Sequence, residues 1–477
     1  MSDVLDSREA GPAALRGSAL RSGAYLAGVA LSIASAPLLI RHLGVASFGA
    51  YVTVVSLMNL VAGVTEGGLN AIALREYATL RGAERRAALR ALLGIRWALS
   101  LAGVAIGIAF ALLAGYDSPL VVGAVGAGVG VVLQALQMLV ATPLQGELRF
   151  GWLAGMQLLG QLATVVLIVV LVLADAGVVP FLWLTAPVGL LLLGITVAVV
   201  GREMPWRPSL RWAEVWPLLR ETLPYTAAVA LNVVYFRVTI LVMSLQATEL
   251  ETGYFATSFR VIEVLLGIPA LVIGAAYPIL ARAHRDDADR FRYAMRRILE
   301  LSLLLGIWMA VNCAVGAQLA IDVLAGAQGE PAVEVLRIQG LTLAATGLAV
   351  ACGYALLTLK RYAAMVWLNV AALALAVVLT LALVPGHGAT GAAVATFGAE
   401  ALLAVGVLIV LLRARPELAG GLAGAPLILA VGGAAAALGL LTGVPSIVGL
   451  VIANAVFVGG LVAVRRFPPE VRDVLRR

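Results

Sequence analysis

The chain has 477 residues, of which 62% are hydrophobic and only 12% charged, against about 45–50% apolar and 25% charged in a soluble domain. That balance excludes a soluble globular protein, and no polar stretch is long enough to hold a core of its own. The formal net charge of +7 invites a nucleic-acid reading, but the placement of the basic residues gives it a membrane origin, and no nucleic-acid partner is expected.

In chain order, the first 15 residues are polar and the first apolar segment has no small-residue cleavage context, so no cleavable signal peptide is expected. A membrane span needs about 20 apolar residues. Apolar segments run at 20–41, 48–74, 91–114, 119–142, 153–174, 180–200, 222–245, 252–280, 297–320, 335–358, 362–384, 390–412, 420–441 and 446–464. These long runs do not alternate as barrel strands would, and inside lipid every backbone polar group must be satisfied locally, so they are predicted to be helices. The fold expected is an all-α integral membrane protein of about 14 transmembrane helices.

The basic residues set the orientation. Loops on one side hold Arg8, Arg16 and Arg21, then Arg75 to Arg90, Arg149, Arg202 to Arg220, Arg282 to Arg297, Lys360 and Arg361, Arg413 and Arg415, and the Arg465–Arg477 tail. Loops on the other side hold only Arg41 and Arg337. Positively charged loops stay in the cytoplasm. The expectation is a multi-pass protein of the cell inner (plasma) membrane with both termini cytoplasmic and the lipid bilayer as its constant partner. Between Pro205 and Arg220, Trp206, Trp212 and Trp216 interleave with Arg207, Arg211 and Arg220, the pattern of a helix lying at headgroup level.

An internal repeat divides the chain. Leu15-Arg16 and Leu219-Arg220, Gly49 and Gly253, and Gly63 and Gly267 are each 204 residues apart. Six spans per unit, both starting inside, imply two parallel halves, an arrangement of transporters with the substrate site between the halves. The boundaries expected are an N-terminal lobe at 1–201 (spans 1–6), a cytoplasmic interfacial linker at 202–221, and a C-terminal lobe at 222–413 (spans 7–12). Two further spans and a basic cytoplasmic tail then fill 414–477.

Short motifs fall along this frame in a fixed order. They are Leu15-Arg16-Gly17-Ser18-Ala19, Arg41-His42-Leu43-Gly44, Phe48-Gly49-Ala50-Tyr51, Leu223-Pro224, Tyr235-Phe236-Arg237, Gly253-Tyr254-Phe255-Ala256 and Phe259-Arg260-Val261-Ile262-Glu263. Tyr277-Pro278-Ile279-Leu280 and Pro385-Gly386-His387-Gly388-Ala389-Thr390-Gly391-Ala392-Ala393 complete the set. In order and spacing the chain resembles the oligosaccharide flippases, the polysaccharide-biosynthesis branch of the multidrug/oligosaccharidyl-lipid/polysaccharide exporter superfamily. The resemblance covers essentially the whole chain and is least marked over the last two spans. It implies two six-helix lobes around a central cavity plus two extra C-terminal helices. It also implies movement of a polyprenyl-(di)phosphate-linked oligosaccharide to the outer leaflet by alternating access, for cell-surface polysaccharide biosynthesis, with glycosyltransferases and a polymerase of the same pathway as further partners. One position departs from the family pattern: the acid often found two residues after the arginine of Tyr-Phe-Arg is Thr239 here, so any role of that acid does not carry over.

A charge inside a span costs a few kcal/mol or more, which makes it a functional-site hypothesis. Arg237 and Arg260 flank the turn at 246–251, each about 12 residues from its centre, hence roughly 12 Å or more from the outer helix ends. Two readings stand. The arginines bind an anionic headgroup, for which guanidinium groups suit phosphate oxygens bidentately, or they are structural, Arg260 paired with Glu263 one turn on and Arg237 with Glu66 or a backbone carbonyl. Glu66, in Val64-Thr65-Glu66-Gly67-Gly68, sits where the helix should soften, and Glu263, Asn232, Tyr235 and Glu400 are the remaining cavity or ion-pair candidates. Arg96, near the start of span three, is expected to snorkel to the cytoplasmic headgroups, and Glu300 to lie at the interface.

No nucleophile elbow, metal-ligand spacing or phosphate-cradling glycine loop is present, so no catalytic residue, metal or cofactor is expected. Cys313 and Cys352 lie in separate apolar segments and read as small core residues. Two transport functions and two others compete. A cation-coupled multidrug exporter of the same superfamily would favour acidic, aromatic cavities, whereas a membrane polysaccharide polymerase or ligase would carry a large external catalytic loop. A non-transporting assembly partner is the fourth.

Overall fold

Long apolar runs without strand alternation give helices throughout. The protein is described by a computed structural model over residues 10–201, 203–205, 207–441 and 444–464. Arg8, Arg202, Trp206 and the Arg465–Arg477 tail lie outside these residues, as do the side chains of Leu15 to Ala19, Arg21, Leu223, Pro224, Tyr277 to Ile279, Arg282 and His284. Among the described residues every regular element is a helix. In order these are α1 (Ala10–Glu66), α2 (Leu69–Thr79), α3 (Gly82–Leu113), α4 (Ser118–Val140), α5 (Thr142–Gly146), α6 (Phe150–Leu173), α7 (Val178–Trp183), α8 (Thr185–Val200), α9 (Trp212–Gln246), α10 (Glu249–Asp286), α11 (Ala288–Ala325), α12 (Ala332–Thr358), α13 (Tyr362–Ala414), α14 (Ala425–Leu441) and α15 (Ser446–Ala463). Short 3₁₀ turns occupy Gly326–Gly329 and Pro416–Leu422.

Ten of the described helical segments are long and apolar enough to cross a membrane. Two are far longer than the roughly 30 Å hydrocarbon core requires. The 57-residue α1 bends at Gly44 (φ 75°, ψ 161°) and the 53-residue α13 bends at Gly388 (φ 51°, ψ −130°). The turns expected after positions 41 and 384 are therefore sharp kinks, each placed on a glycine because a positive φ strains any residue with a Cβ.

By its contacts the chain divides into two compact units, Met1–Arg237 and Val238–Arg477, the cut falling inside α9. In the first, Leu89, Leu92 and Ile95 of α3 pack with Leu136, Leu139 and Val140 of α4 and with Leu144, Met204 and Val215. On α4, Gly123, Gly126 and Gly130 lie so close to Leu182, Trp183 and Thr185 that an added Cβ would collide, the small-residue contact that packs helices in lipid. The segment leading into α9 is tied to this unit, because the Ser209 N–H donates to the Arg90 carbonyl at 2.9 Å. At the start of α9, Trp212 and Trp216 stack with centroids 5.2 Å apart and stand 66% and 48% exposed, so residues 212–221 are the first turns of a long helix.

Among its described residues the second unit holds at least three apolar clusters. One joins Ile262 to Met309, Cys313, Leu336 and Leu343, and another joins Met295 and Leu299 to Cys352, Leu356, Val407 and Leu411. Both cysteines are buried core residues. The third cluster seats α14 and α15 on α11 through Ile307, Val311, Val315, Ile428, Ala453 and Phe457. A polar staple reinforces it: the Trp308 indole donates to Asn454 Oδ1 at 2.8 Å and Asn454 Nδ2 donates to Asn312 Oδ1 at 2.9 Å.

Candidate functional site

Two glycines after a carboxylate weaken a helix, and the helix that begins at Ala10 ends at Glu66. Gly67 and Gly68 both take positive φ, 46° and 77°, before α2 resumes at Leu69. A break inside an apolar helix leaves carbonyls without partners, and such groups are costly in lipid. Two other helices supply donors. Arg96 of α3 donates from Nη1 to the Thr65 carbonyl at 3.2 Å and from Nε to the Ala135 carbonyl at 3.2 Å. Thr226 of α9 donates from its hydroxyl to the Gly67 carbonyl at 2.7 Å.

Glu66 closes the same break locally, accepting from the Gly68 N–H at 3.2 Å and from Asn70 Nδ2 at 3.1 Å. Its charge acts on Arg96, and Arg237 is not among its partners. Arg96 is only 2% exposed. It does not snorkel, because its guanidinium is consumed inside the unit by backbone carbonyls. Sequence reasoning misplaced Arg96 and passed over Thr226. Nothing local signals them, since their partners lie 31 and 159 positions away.

Arg260 and Glu263 do meet, Nη1 to Oε2 at 2.8 Å across one turn of α10, and both are partly buried. Arg237 is partly buried on α9, and it ends the first unit whereas Arg260 and Glu263 belong to the second. Near Arg237, Asn232 is exposed and Tyr235 buried, the Tyr235 ring lying edge-on to Phe236 at 5.6 Å. Thr239 is buried. Glu400 is 5% exposed and accepts from the Thr346 hydroxyl at 3.0 Å. Glu300 takes Arg297 at 2.9 Å and is half-buried. The structure therefore joins Arg260 with Glu263 and Glu66 with the α1 break, and leaves Glu400 on a separate pair of helices.

Glu147, Arg149 and Glu203 lie outside the helical segments long and apolar enough to cross a membrane. The Tyr77 hydroxyl donates to Glu147 Oε1 at 2.9 Å, and Arg149 Nη1 stands 3.7 Å from Glu147 and 3.9 Å from Glu203. The Glu203 carboxyl is pushed above its usual range, first by desolvation and then by the Glu147 charge, with Arg149 opposing.

A family model described as polysaccharide biosynthesis protein matches residues 38–334. No curated protein sequence matches the chain. Among solved structures, lipid II flippase MurJ in an inward closed conformation superposes with a TM-score of 0.76 at 14% identity, over 94% of this chain and 99% of that one. An inward-facing multidrug resistance MATE family transporter of the MOP superfamily gives 0.62 at 13% identity, over 83% and 95%. A MOP superfamily transporter from Pyrococcus furiosus, described as having a binding pocket of reverse polarity, gives 0.52 at 15% identity, over 86% and 94%. At these identities the likeness shows a shared fold.

Proposed function

The chain belongs to the polysaccharide biosynthesis protein family, and on that premise we propose that it is a flippase. It carries a polyprenyl-(di)phosphate-linked oligosaccharide from the cytoplasmic to the outer leaflet by alternating access, supplies cell-surface polysaccharide assembly, and performs no chemistry on its cargo. The observation that carries this reading is the likeness in fold, over nearly the whole of both chains, to a protein named for flipping lipid II. Fourteen crossings are proposed, with each arm of α1 and α13 taken separately, α2 joined to the second arm of α1, α5 to α4 and α7 to α8. Six fall in each lobe, α14 and α15 follow, and both termini are cytoplasmic under the positive-inside rule.

In this reading Arg237 and Arg260 hold the (di)phosphate. A guanidinium offers planar, bidentate donors to phosphate oxygens, and Glu263 at 2.8 Å fixes the Arg260 fork instead of leaving it to swing. Two cations inside apolar helices are retained at a cost that an anionic headgroup offsets during transport. The sugar stays hydrated while the polyprenyl chain remains in lipid.

The test is reconstitution into liposomes carrying a polyprenyl-diphosphate oligosaccharide, with a membrane-impermeant glycosidase reporting its arrival at the far leaflet. Arg237→Gln with Arg260→Gln should slow arrival by at least about tenfold, the loss of two charge-assisted anchors. Arrival at the wild-type rate would remove the anion-binding role. A second reading, a cation-coupled exporter of the same superfamily, is favoured by the buried Glu400 carboxylate with its Thr346 partner. It requires that organic cations, and not the lipid-linked sugar, move in the same liposomes and that Glu400→Gln stops them.

A further inference from the structure

At the end of the second unit away from its arginine-rich loops, helix ends and the α13 kink line an open cleft of about 440 Å³ in which Glu330, Glu334, Arg337 and His387 are exposed, within the roughly 300–1,000 Å³ of small-molecule sites. Its walls come from the start of α10, the end of α11, the start of α12 and the residues around Gly388. One wall is rigid. Glu251 accepts from the Ala389 N–H at 2.7 Å, and a Cβ at Gly388 would collide with that carboxylate. The other polar groups have bonding capacity to spare. Among the described residues the carboxylates of Glu330 and Glu334 make no hydrogen bond or ion pair, nor do the Tyr254 hydroxyl and the His387 ring. Arg337 spends only Nε, on the Ala314 carbonyl at 3.3 Å.

We infer that this pocket is a saccharide-binding site for a neutral or amino-sugar unit. Carboxylates accept from neighbouring ring hydroxyls, and the Arg337 guanidinium donates to ring or hydroxyl oxygens. Tyr254 and His387 offer either role. A polyol uses both kinds of group at once. Three carboxylates against one guanidinium leave the lining negative, which disfavours uronic acids and phosphates. A simple organic cation would have no use for Arg337. Among the described residues no group of three acidic, histidine or cysteine side chains stands ready for a metal ion. Its place in transport, receiving the headgroup's sugar at the outer face, rests on the proposed flippase function; the binding itself does not.

The experiment is ligand-observed saturation-transfer NMR on the full chain in detergent. The probes are a panel of neutral and amino disaccharides, with tetramethylammonium and inorganic pyrophosphate as counter-probes. The wild type should bind at least one disaccharide with millimolar affinity. Glu330→Gln with Glu334→Gln, and Arg337→Gln separately, should weaken it by at least about tenfold at unchanged melting temperature. Arg237→Gln with Arg260→Gln should bind as the wild type does. Binding of tetramethylammonium alone, no saccharide signal up to about 50 mM, or equal binding by the pocket variants would each overturn the site. Saccharide binding with this variant pattern in a protein that moves no lipid-linked sugar would keep the pocket and remove the flippase reading.

Discussion

Arg96 shows how a single cation can serve a backbone. Its two hydrogen bonds satisfy the Thr65 and Ala135 carbonyls beside a helix break that glycine conformations alone leave open. Arg96→Met keeps the stem and deletes both bonds, and each charged hydrogen bond contributes about 1.5–3 kcal/mol. The expected loss is about 3 kcal/mol or more, a fall of roughly 3 °C or more in the melting temperature of the detergent-purified 477-residue protein. Arg96→Lys should recover part of it. A methionine variant that melts with the wild type would show that the break is held by other means. Glu203 gives a pH-dependent case. Its carboxyl is held above the ordinary 4.5, so the folded state binds that proton more readily than the unfolded chain. The sign follows: this contribution favours folding at low pH and is lost as pH rises from near 4.5 through the raised value. Relative to Glu203→Gln, the wild-type melting temperature should decline with rising pH across that window. A difference that stays constant with pH would contradict the assignment.

Elements are joined here by caps at glycine kinks, and the α13 kink is the sharper test. Its second arm starts at Ala389, whose N–H is held by Glu251 from 138 residues away. Gly388→Ala places a Cβ at φ 51° and drives it into that carboxylate. The left-handed strain of about 1–2 kcal/mol adds to the loss of a cap at about 0.5–2 kcal/mol. Amide exchange over residues 389–392 should accelerate in Gly388→Ala and in Glu251→Ala, and remain near wild type in Glu251→Gln, which keeps an acceptor. Equal protection in all of them would mean that Glu251 does not hold this arm. The kink positions and the α1 break were legible in the sequence, as glycines after Arg41-His42-Leu43, in Pro385-Gly386-His387-Gly388 and in Glu66-Gly67-Gly68. The Arg260–Glu263 pair was legible too, because three residues of helix fix it. The capping partners and the Thr346–Glu400 contact were not. Whether a polar side chain turns to lipid or inward depends on how a helix is rotated in its unit, and contacts 31 to 138 positions away decide that. The carbohydrate pocket was hidden for the same reason, since four separate elements supply its walls.

At the scale of the whole molecule, the arginine asymmetry and the helix count make a joint statement that cysteine labelling can check. Cys313 and Cys352 are both buried, so the native chain should be nearly silent to an impermeant maleimide. New cysteines then report their own side. Asp117 precedes α4 and Gln328 lies in the 3₁₀ turn between α11 and α12, and both are exposed. They sit where few arginines do. Ala83, at the start of α3, and Lys360, between α12 and α13, are exposed among the arginine-rich loops. Under the positive-inside rule, intact cells should label Asp117→Cys and Gln328→Cys, while Ala83→Cys and Lys360→Cys react only after permeabilisation. The pairs test different things. Ala83 and Asp117 are separated by α3 alone and must lie on opposite faces if α3 crosses once, and Gln328 and Lys360 make the same demand of α12. Agreement within each unit but opposite orientation between the units would break the expected parallel repeat while keeping every helix. Labelling of Ala83→Cys or Lys360→Cys from outside would reverse the orientation, and with it the direction in which a lipid-linked headgroup would be carried.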